Sequence, residues 1–315
     1  MTGPALRLGT RRSALALIQA RLVARAVTDA TGRTVELVEV TTRGDTSREH
    51  LTSIGGTGVF VSALRYALLA GEVDLAVHSL KDLPTAPAEG LVLAAVPPRE
   101  DPRDVLCARD GLTLGELGHR AVVGTGSPRR EAQLHALGLG LRVAPVRGNV
   151  DTRLRLVATG EVDAVVLARA GLARLGRLDA VTEVLDPLQM LPAPGQGALA
   201  VECRPQLVPL LAALDDPPSR AAVTAERSLL AALEAGCTAP VGACAEVAEG
   251  DEGLELYLRA VVASPDGSVC IRKSATGPLA RASDLGRELA AELLADGAVA
   301  VVGARTRAPQ EETVP

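Results

Sequence analysis

The run Asp74-Leu75-Ala76-Val77-His78-Ser79-Leu80-Lys81-Asp82-Leu83-Pro84 opens as an apolar strand. Where that strand should end it presents Ser79, Lys81 and Asp82 in quick succession. Lys81 is one of two lysines in 315 residues, the other being Lys273, while the remaining 31 of 33 basic residues are arginine. An ammonium is a compact point charge with a tunable pKa, whereas guanidinium is a fixed planar fork. A lysine kept at a strand end therefore points to a task that arginine does not serve. Asp82 adds a carboxylate able to accept from a substrate N–H or to stabilise a developing cation. The alternative is a surface ion pair at the start of a loop. Arginine concentrates at Arg11 and Arg12, at Arg129 and Arg130, at Arg147, and at Arg153 and Arg155. Two arginines at a helix start oppose the helix dipole. A locally unfavourable choice at a strand end is what a polyanion site looks like, so the expected ligand carries carboxylates or phosphates. Cys237 is the third candidate, in Gly236-Cys237-Thr238 directly after a helical stretch. A thiol there is a nucleophile or an attachment point, or else inert packing like most buried cysteines, the expectation for the other four.

The elements that must position these residues follow a repeated order. Residues 5–10 read as a strand ending at Gly9-Thr10, and Ser13 to Ala30 carries apolar residues at helical spacing. A strand, a tight turn and a helix start make an anion site, because unpaired N–H groups point outward there. Residues 35–40 alternate like a strand and run into Thr42-Arg43-Gly44-Asp45. A glycine-rich loop, Gly55-Gly56-Thr57-Gly58, precedes a helix over about 62–70. The order then recurs: Gly124-Thr125 echoes Gly9-Thr10 at an interval of 115 residues, Arg147-Gly148-Asn149 echoes Arg43-Gly44-Asp45 at 104, and Gly160-Glu161-Val162-Asp163 echoes Gly71-Glu72-Val73-Asp74 at 89. Ser127 is the expected N-cap of a helix with Pro128 at its first position. Three echoes in one order predict two α/β lobes of one design with mixed, mostly parallel sheets and a ligand cleft at the strand ends. The Pro- and Gly-rich stretch 191–198 reads as a hinge, and 198–203 as a strand rejoining the first lobe. From about 217 the pattern becomes a long helix over 219–235, three strands over 241–247, 254–262 and 268–275, and a helix over about 280–296. Asp266-Gly267 signals a hairpin between the last two strands. The expected division is 1–97 with 198–216, then 98–197, then a small α+β domain over 217–315. The tail from Ala304 reads as disordered.

Composition excludes several function classes. The net charge is −5, so no global basic field draws the chain to nucleic acid or to an anionic membrane. One Phe, two Tyr and no Trp leave little for base stacking. Five cysteines without a CxxC fit a reduced compartment, and the four histidines share no metal-ligand spacing with them. No basic segment leads into an apolar run at the N-terminus, and no apolar run reaches 18 residues, so a cytoplasmic chain is expected. Two rival readings stand beside an enzyme: a non-catalytic anion-binding protein of two lobes, and a Schiff-base role for Lys81, for which no phosphate-binding fingerprint is evident.

Taken together, the blocks Gly9-Thr10-Arg11-Arg12-Ser13, Thr42-Arg43-Gly44-Asp45, Val77-His78-Ser79-Leu80-Lys81-Asp82, Arg99-Glu100-Asp101-Pro102-Arg103-Asp104, Ser127-Pro128-Arg129-Arg130, Arg147-Gly148-Asn149, Pro194-Gly195-Gln196-Gly197-Ala198 and Glu234-Ala235-Gly236-Cys237 resemble the porphobilinogen deaminase (hydroxymethylbilane synthase) family over nearly the whole chain. The resemblance implies two lobes similar to periplasmic binding proteins and a third domain. It implies a dipyrromethane cofactor held by Cys237 through a thioether, Asp82 as the central catalytic group, and porphobilinogen as substrate. It also implies that Arg11, Lys81, Arg129, Arg130, Arg147 and Arg153 bind acetate and propionate groups, with Ser13, Ser79, Thr125, Ser127 and Gln196 lining the site. A monomer is implied, followed in its pathway by uroporphyrinogen-III synthase, with no nucleic acid, membrane or metal. Two positions depart from the family pattern: Thr57 where the loop usually carries lysine, and Gly126 where serine is common. Arg12 or Arg48 is expected to compensate for Thr57.

Overall fold

The computed structural model describes residues 3–40, 58–235, 239–250 and 253–303. The first sheet is built from β1 (Leu6–Thr10), β2 (Val35–Glu39), β3 (Leu75–Ser79) and β4 (Val92–Ala95), with helices α1 (Ala14–Thr31) and α2 (Gly58–Leu69) between them. Ser13 caps α1, its hydroxyl accepting from the Ala16 N–H at 3.3 Å, and Gly32 ends the helix in the left-handed conformation at φ 68°. Helix α1 buries Ala20, Val23 and Val27 on Leu6, Leu8 and Leu75. On the other face Leu64 and Leu68 of α2 pack with Val73 and Ala76. The helix starts one turn earlier than the apolar spacing predicts.

The second lobe holds β5 (Asp104–Ala108), β6 (Val122–Gly124), α3 (Pro128–Ala136), β7 (Arg142–Ala144), α4 (Val150–Ala158), β8 (Ala164–Ala168), α5 (Arg169–Leu175) and β9 (Glu183–Val184). Ser127 does precede α3, but its side chain makes no capping bond, a correction to the sequence reading. The chain then returns as β10 (Leu199–Cys203) and α6 (Val208–Leu211).

The two sheets share one plan. Their orders are β2-β1-β3-β10-β4 and β7-β6-β8-β5-β9. In each, four strands run one way and one, β10 or β5, runs against them because it enters from the other lobe. The predicted return strand is thus β10, and the repeat inferred from three short echoes is a repeat of topology.

The remaining elements are α7 (Pro217–Ala232), the antiparallel strands β11 (Val241–Gly250), β12 (Gly253–Ala263) and β13 (Cys270–Pro278), then α8 (Ala282–Ala295) and α9 (Ala298–Gly303). Helices α7 and α8 cover one sheet face with Leu229, Leu233, Leu256, Leu258, Leu289 and Leu293 at its centre. The two helices cross at Gly286, where a Cβ would lie 2.2 Å from the Ala225 carbonyl oxygen. Among the described residues no helix is long and apolar enough to cross a membrane, and no cluster of His, Cys, Asp or Glu is able to hold a metal.

Candidate active site

After β3 the backbone turns sharply through Leu80–Asp82. Leu80 is fully buried and its N–H donates to the Ala198 carbonyl at 3.0 Å, while Leu83 N–H returns to the Leu80 carbonyl at 3.1 Å. Gly195, at φ 75°, presses against this turn, its virtual Cβ 3.3 Å from the Lys81 nitrogen. On the far side Arg227 of α7 donates to the Leu83 and Pro84 carbonyls at 2.8 and 2.7 Å. With Leu80 anchored inward, the next two side chains face a cavity of about 610 Å³ between the lobes.

Of the predicted site residues, Arg11, Ser13, Ser79, Lys81, Asp82, Arg130, Arg153 and Gln196 line this cavity. Ser79 is held by the Gln19 amide at 3.1 Å. Gln196 accepts from the Lys81 ammonium at 3.4 Å and donates to the Pro102 carbonyl at 2.7 Å and to Asp104 Oδ1 at 2.8 Å. The glutamine therefore links the lysine of one lobe to a buried carboxylate of the other. Burial pushes Lys81 down to about 8, with Arg130 and Arg129 acting in the same sense against the opposing pull of Asp82 and Asp104.

The arginine pair at the start of α3 is resolved by that carboxylate. Asp104 is fully buried, and its Oδ1 accepts from Arg130 Nη2 at 2.8 Å and Nε at 3.2 Å. Arg129 Nη2 makes an ionic contact with Oδ2 at 2.8 Å that is not aligned as a hydrogen bond. Burial would raise the Asp104 carboxyl, but the two guanidinium groups and the bonds from Arg130 and Gln196 outweigh it and hold the group well below the usual carboxylate range. Arg129 is 4% exposed, donates to the Leu191 carbonyl and does not line the cavity, so part of the unfavourable charge read from sequence has an internal counter-ion.

Three other predicted residues also stand back from the cavity wall. Thr125 is buried and its hydroxyl accepts from the Ser127 N–H at 3.1 Å, so both shape the turn before α3. Arg147 is exposed beside Gly148, which does line the cavity. Cys237, Thr57, Arg48 and Arg43-Gly44-Asp45 lie outside the described residues, as does the tail from Ala304. Arg12 pairs with Glu39 at 3.3 Å and is not on the cavity wall. A serine at Gly126 would bring its Cβ within 2.7 Å of the Val146 carbonyl oxygen, so this turn is packed for glycine.

Sequence reasoning missed Arg174, Asn149 and Asp104. Arg174 of α5 reaches the cavity while donating to the Gly197 carbonyl at 2.6 Å, and burial lowers its pKa. Asn149 caps α4 through the Thr152 N–H at 2.9 Å. Of the three, Asp104 and Asn149 had a signal, their places in the Arg99–Asp104 and Arg147–Asn149 blocks, while Arg174 had none. Among the other cysteines, burial pushes Cys107 and Cys244 up to about 12 and Cys203 to about 11, so these are inert packing. Cys270 is exposed, against the expectation that it would be buried.

The wall thus carries Arg11, Lys81, Arg130, Arg153 and Arg174 against Asp82 and Asp151, and Asp151 is engaged by Arg177 at 2.6 Å. This is a cationic cleft with one carboxylate set at its turn, in a chain whose net charge is −5. Comparison with known proteins agrees with that chemistry. Residues 6–208 match the model of "Porphobilinogen deaminase, dipyromethane cofactor binding domain", and 220–295 that of "Porphobilinogen deaminase, C-terminal domain". Porphobilinogen deaminase 1 of Streptomyces avermitilis is 62% identical over 322 residues, covering 97% of this chain and 99% of that protein. The Streptomyces coelicolor protein of the same name is 61% identical, covering 98% of this chain and all of that one. Among solved structures, the periplasmic VFT2 domain of BvgS from Bordetella pertussis aligns over 67% of this chain and 86% of that one, at 18% identity and a TM-score of 0.40. The two lobes of this chain share one strand order with each other. The chain belongs to the porphobilinogen deaminase family.

Proposed function

We propose that this enzyme is a transferase that condenses four porphobilinogen molecules head to tail onto a dipyrromethane primer carried by Cys237, and then releases hydroxymethylbilane by hydrolysis. Each addition forms one carbon–carbon bond and expels one ammonia. The observation that carries this reading is the cationic cavity that closes on a single fixed carboxylate, Asp82, next to Lys81. The donor set fits the cofactor: a dipyrrole brings two carboxylates per ring, and the wall offers five cations with the one other acidic group already paired. When bound, the dipyrromethane supplies the pyrrole carbon to which the first substrate unit is joined.

The chain's own residues then divide the work. Asp82 faces the pyrrole N–H groups and stabilises the cation left on the substrate as ammonia departs, a role suited to a carboxylate preorganised in a shielded cleft. Arg11, Arg130, Arg153 and Lys81 hold acetate and propionate groups, each bidentate arginine contact adding about 1.5–3 kcal/mol when shielded from water. Arg147 reaches the growing chain from the cavity rim, and Ser13, Ser79, Thr125, Ser127 and Gln196 line or shape the site. Arg129 acts here through Asp104, fixing α3 so that Arg130 keeps its place. The lobes divide at 1–97 with 198–216 and at 98–197, and the domain over 217–315 presents Cys237. The enzyme works as a cytoplasmic monomer ahead of uroporphyrinogen-III synthase. A purely anion-binding protein would need neither Cys237 nor the C-terminal domain that the family match includes.

Intact-protein mass spectrometry tests the reading. The chain should carry the mass excess of one dipyrrole, absent in Cys237→Ser, and should gain successive pyrrole units on brief exposure to porphobilinogen. An unmodified chain that gains none sinks the proposal.

A further inference from the structure

The β12–β13 hairpin is not part of the cavity, yet its turn is pressed into the helix that carries Arg130. Gly267 sits at φ 73°, and a Cβ there would lie 2.3 Å from the Ala136 nitrogen and 2.6 Å from the His135 carbonyl carbon at the end of α3. The two nearest atoms are backbone and the third is the His135 Cβ at 2.8 Å, so no flexible side-chain end is there to give way. The turn is itself rigid. Asp266 Oδ1 accepts from the Ser268 N–H at 3.1 Å and its hydroxyl at 2.8 Å, and Gly267 N–H donates to the Ser264 carbonyl at 2.8 Å.

The same small domain is fastened to the other side of the cleft. Buried Glu226 of α7 accepts from Arg99 at 2.6 Å, from the Gly195 N–H at 2.6 Å and from the Ala245 N–H at 2.8 Å. The neighbouring Arg227 holds the carbonyls just after Asp82. Helix α7 and strand β12 share one hydrophobic core, so the turn cannot shift against α7 without deforming it.

We propose that the C-terminal domain is a spacer that sets the two walls of the cleft, and that Gly267 is a positioning residue for Arg130. The inference rests on the reading that Arg130 holds substrate carboxylates. A side chain at 267 would push α3 along its axis and misplace that guanidinium, raising the Michaelis constant more than it lowers turnover.

Gly253 provides the comparison. It lies in the other hairpin, at φ 123°, and a Cβ there would meet nothing within 4 Å. Both substitutions place alanine at positive φ, Gly253→Ala at the costlier angle, and only Gly267→Ala presses on α3. Holoenzyme of each should be measured for KM, kcat and hydrogen–deuterium exchange of residues 131–137. Gly267→Ala should speed that exchange about tenfold or more. It should also raise KM about threefold or more with kcat within about twofold, since small misplacements weaken binding contacts steeply. Gly253→Ala should change neither. If Gly267→Ala does not fold, Asp266→Ala loosens the same turn without adding a Cβ and should shift exchange and KM in the same direction. Unchanged α3 exchange, faster exchange without a KM effect, or an equal KM effect in Gly253→Ala each overturns the proposal. Arg130→Leu, measured alongside, separates the premise: an unchanged KM there indicts the role of Arg130, while the exchange result still judges the spacer.

Discussion

Replacing Asp104 by asparagine leaves the shape of the second lobe intact and removes one buried negative charge from between two guanidinium groups. Both lie 2.8 Å from its oxygens, and Gln196 adds a third contact at 2.8 Å. A charge pair with centres about 4 Å apart attracts by roughly 4 kcal/mol at an effective dielectric near 20, and desolvation of the three charges offsets much of the sum. Breaking such a pair strands Arg129 and Arg130 in the interior, at a cost of about 3–5 kcal/mol. Urea unfolding of wild type and Asp104→Asn at pH 7 should show a gap of that size. The pH dependence follows from the depressed carboxyl. Its contribution is complete above the ordinary carboxylate value near 4 and fades as pH falls toward the much lower folded value. The gap between the two proteins should therefore narrow below about pH 4. A gap under about 1 kcal/mol at pH 7, or one unchanged between pH 7 and pH 3, would refute the reasoning.

Three further outcomes can be checked directly. With only two lysines, a chain labelled with 13C-lysine and lacking the primer (Cys237→Ser) should show one resonance titrating near 8, from Lys81, and one above the ordinary lysine value, from Lys273 beside Asp296. Two resonances titrating together would contradict the burial of Lys81. In the same variant one thiol, Cys270, should react rapidly with a thiol reagent under native conditions, while Cys107, Cys203 and Cys244 wait for unfolding. Fast reaction of a second thiol would count against their packing. Arg12→Ala should leave KM within about twofold, because Arg12 is turned to Glu39 in an exposed pair, and such pairs contribute little. A large rise would return Arg12 to the site and support it as the substitute for the absent loop lysine.

Much of this architecture was legible because it is written locally. Gly9-Thr10 ends β1 and Gly124 ends β6, its counterpart in the second lobe, and the spacing of Leu15, Leu22 and Val27 marks a helix without tertiary help. The return of 198–203 to the first sheet was visible as an apolar run after a Pro- and Gly-rich crossing. What could not be read depends on distance in sequence. Nothing near Arg129 shows that it turns inward, because its counter-ion, Asp104, lies on a strand in a segment without clear periodicity. Arg174 is an ordinary helical arginine until the fold brings it against Gly197. Asp82 was visible for the opposite reason: a carboxylate, a rare lysine and a serine stand together where a buried strand stops.

The chemistry rests on Asp82, and a quenched single-turnover experiment on the loaded Asp82→Asn enzyme tests that role most directly. The variant should keep its primer, bind porphobilinogen near wild-type affinity, and add the first unit at least about a thousandfold more slowly, the scale lost when one preorganised electrostatic group is removed. First-unit addition at a rate close to wild type would contradict it, and would move the stabilisation of the departing-ammonia cation to another residue of the cleft.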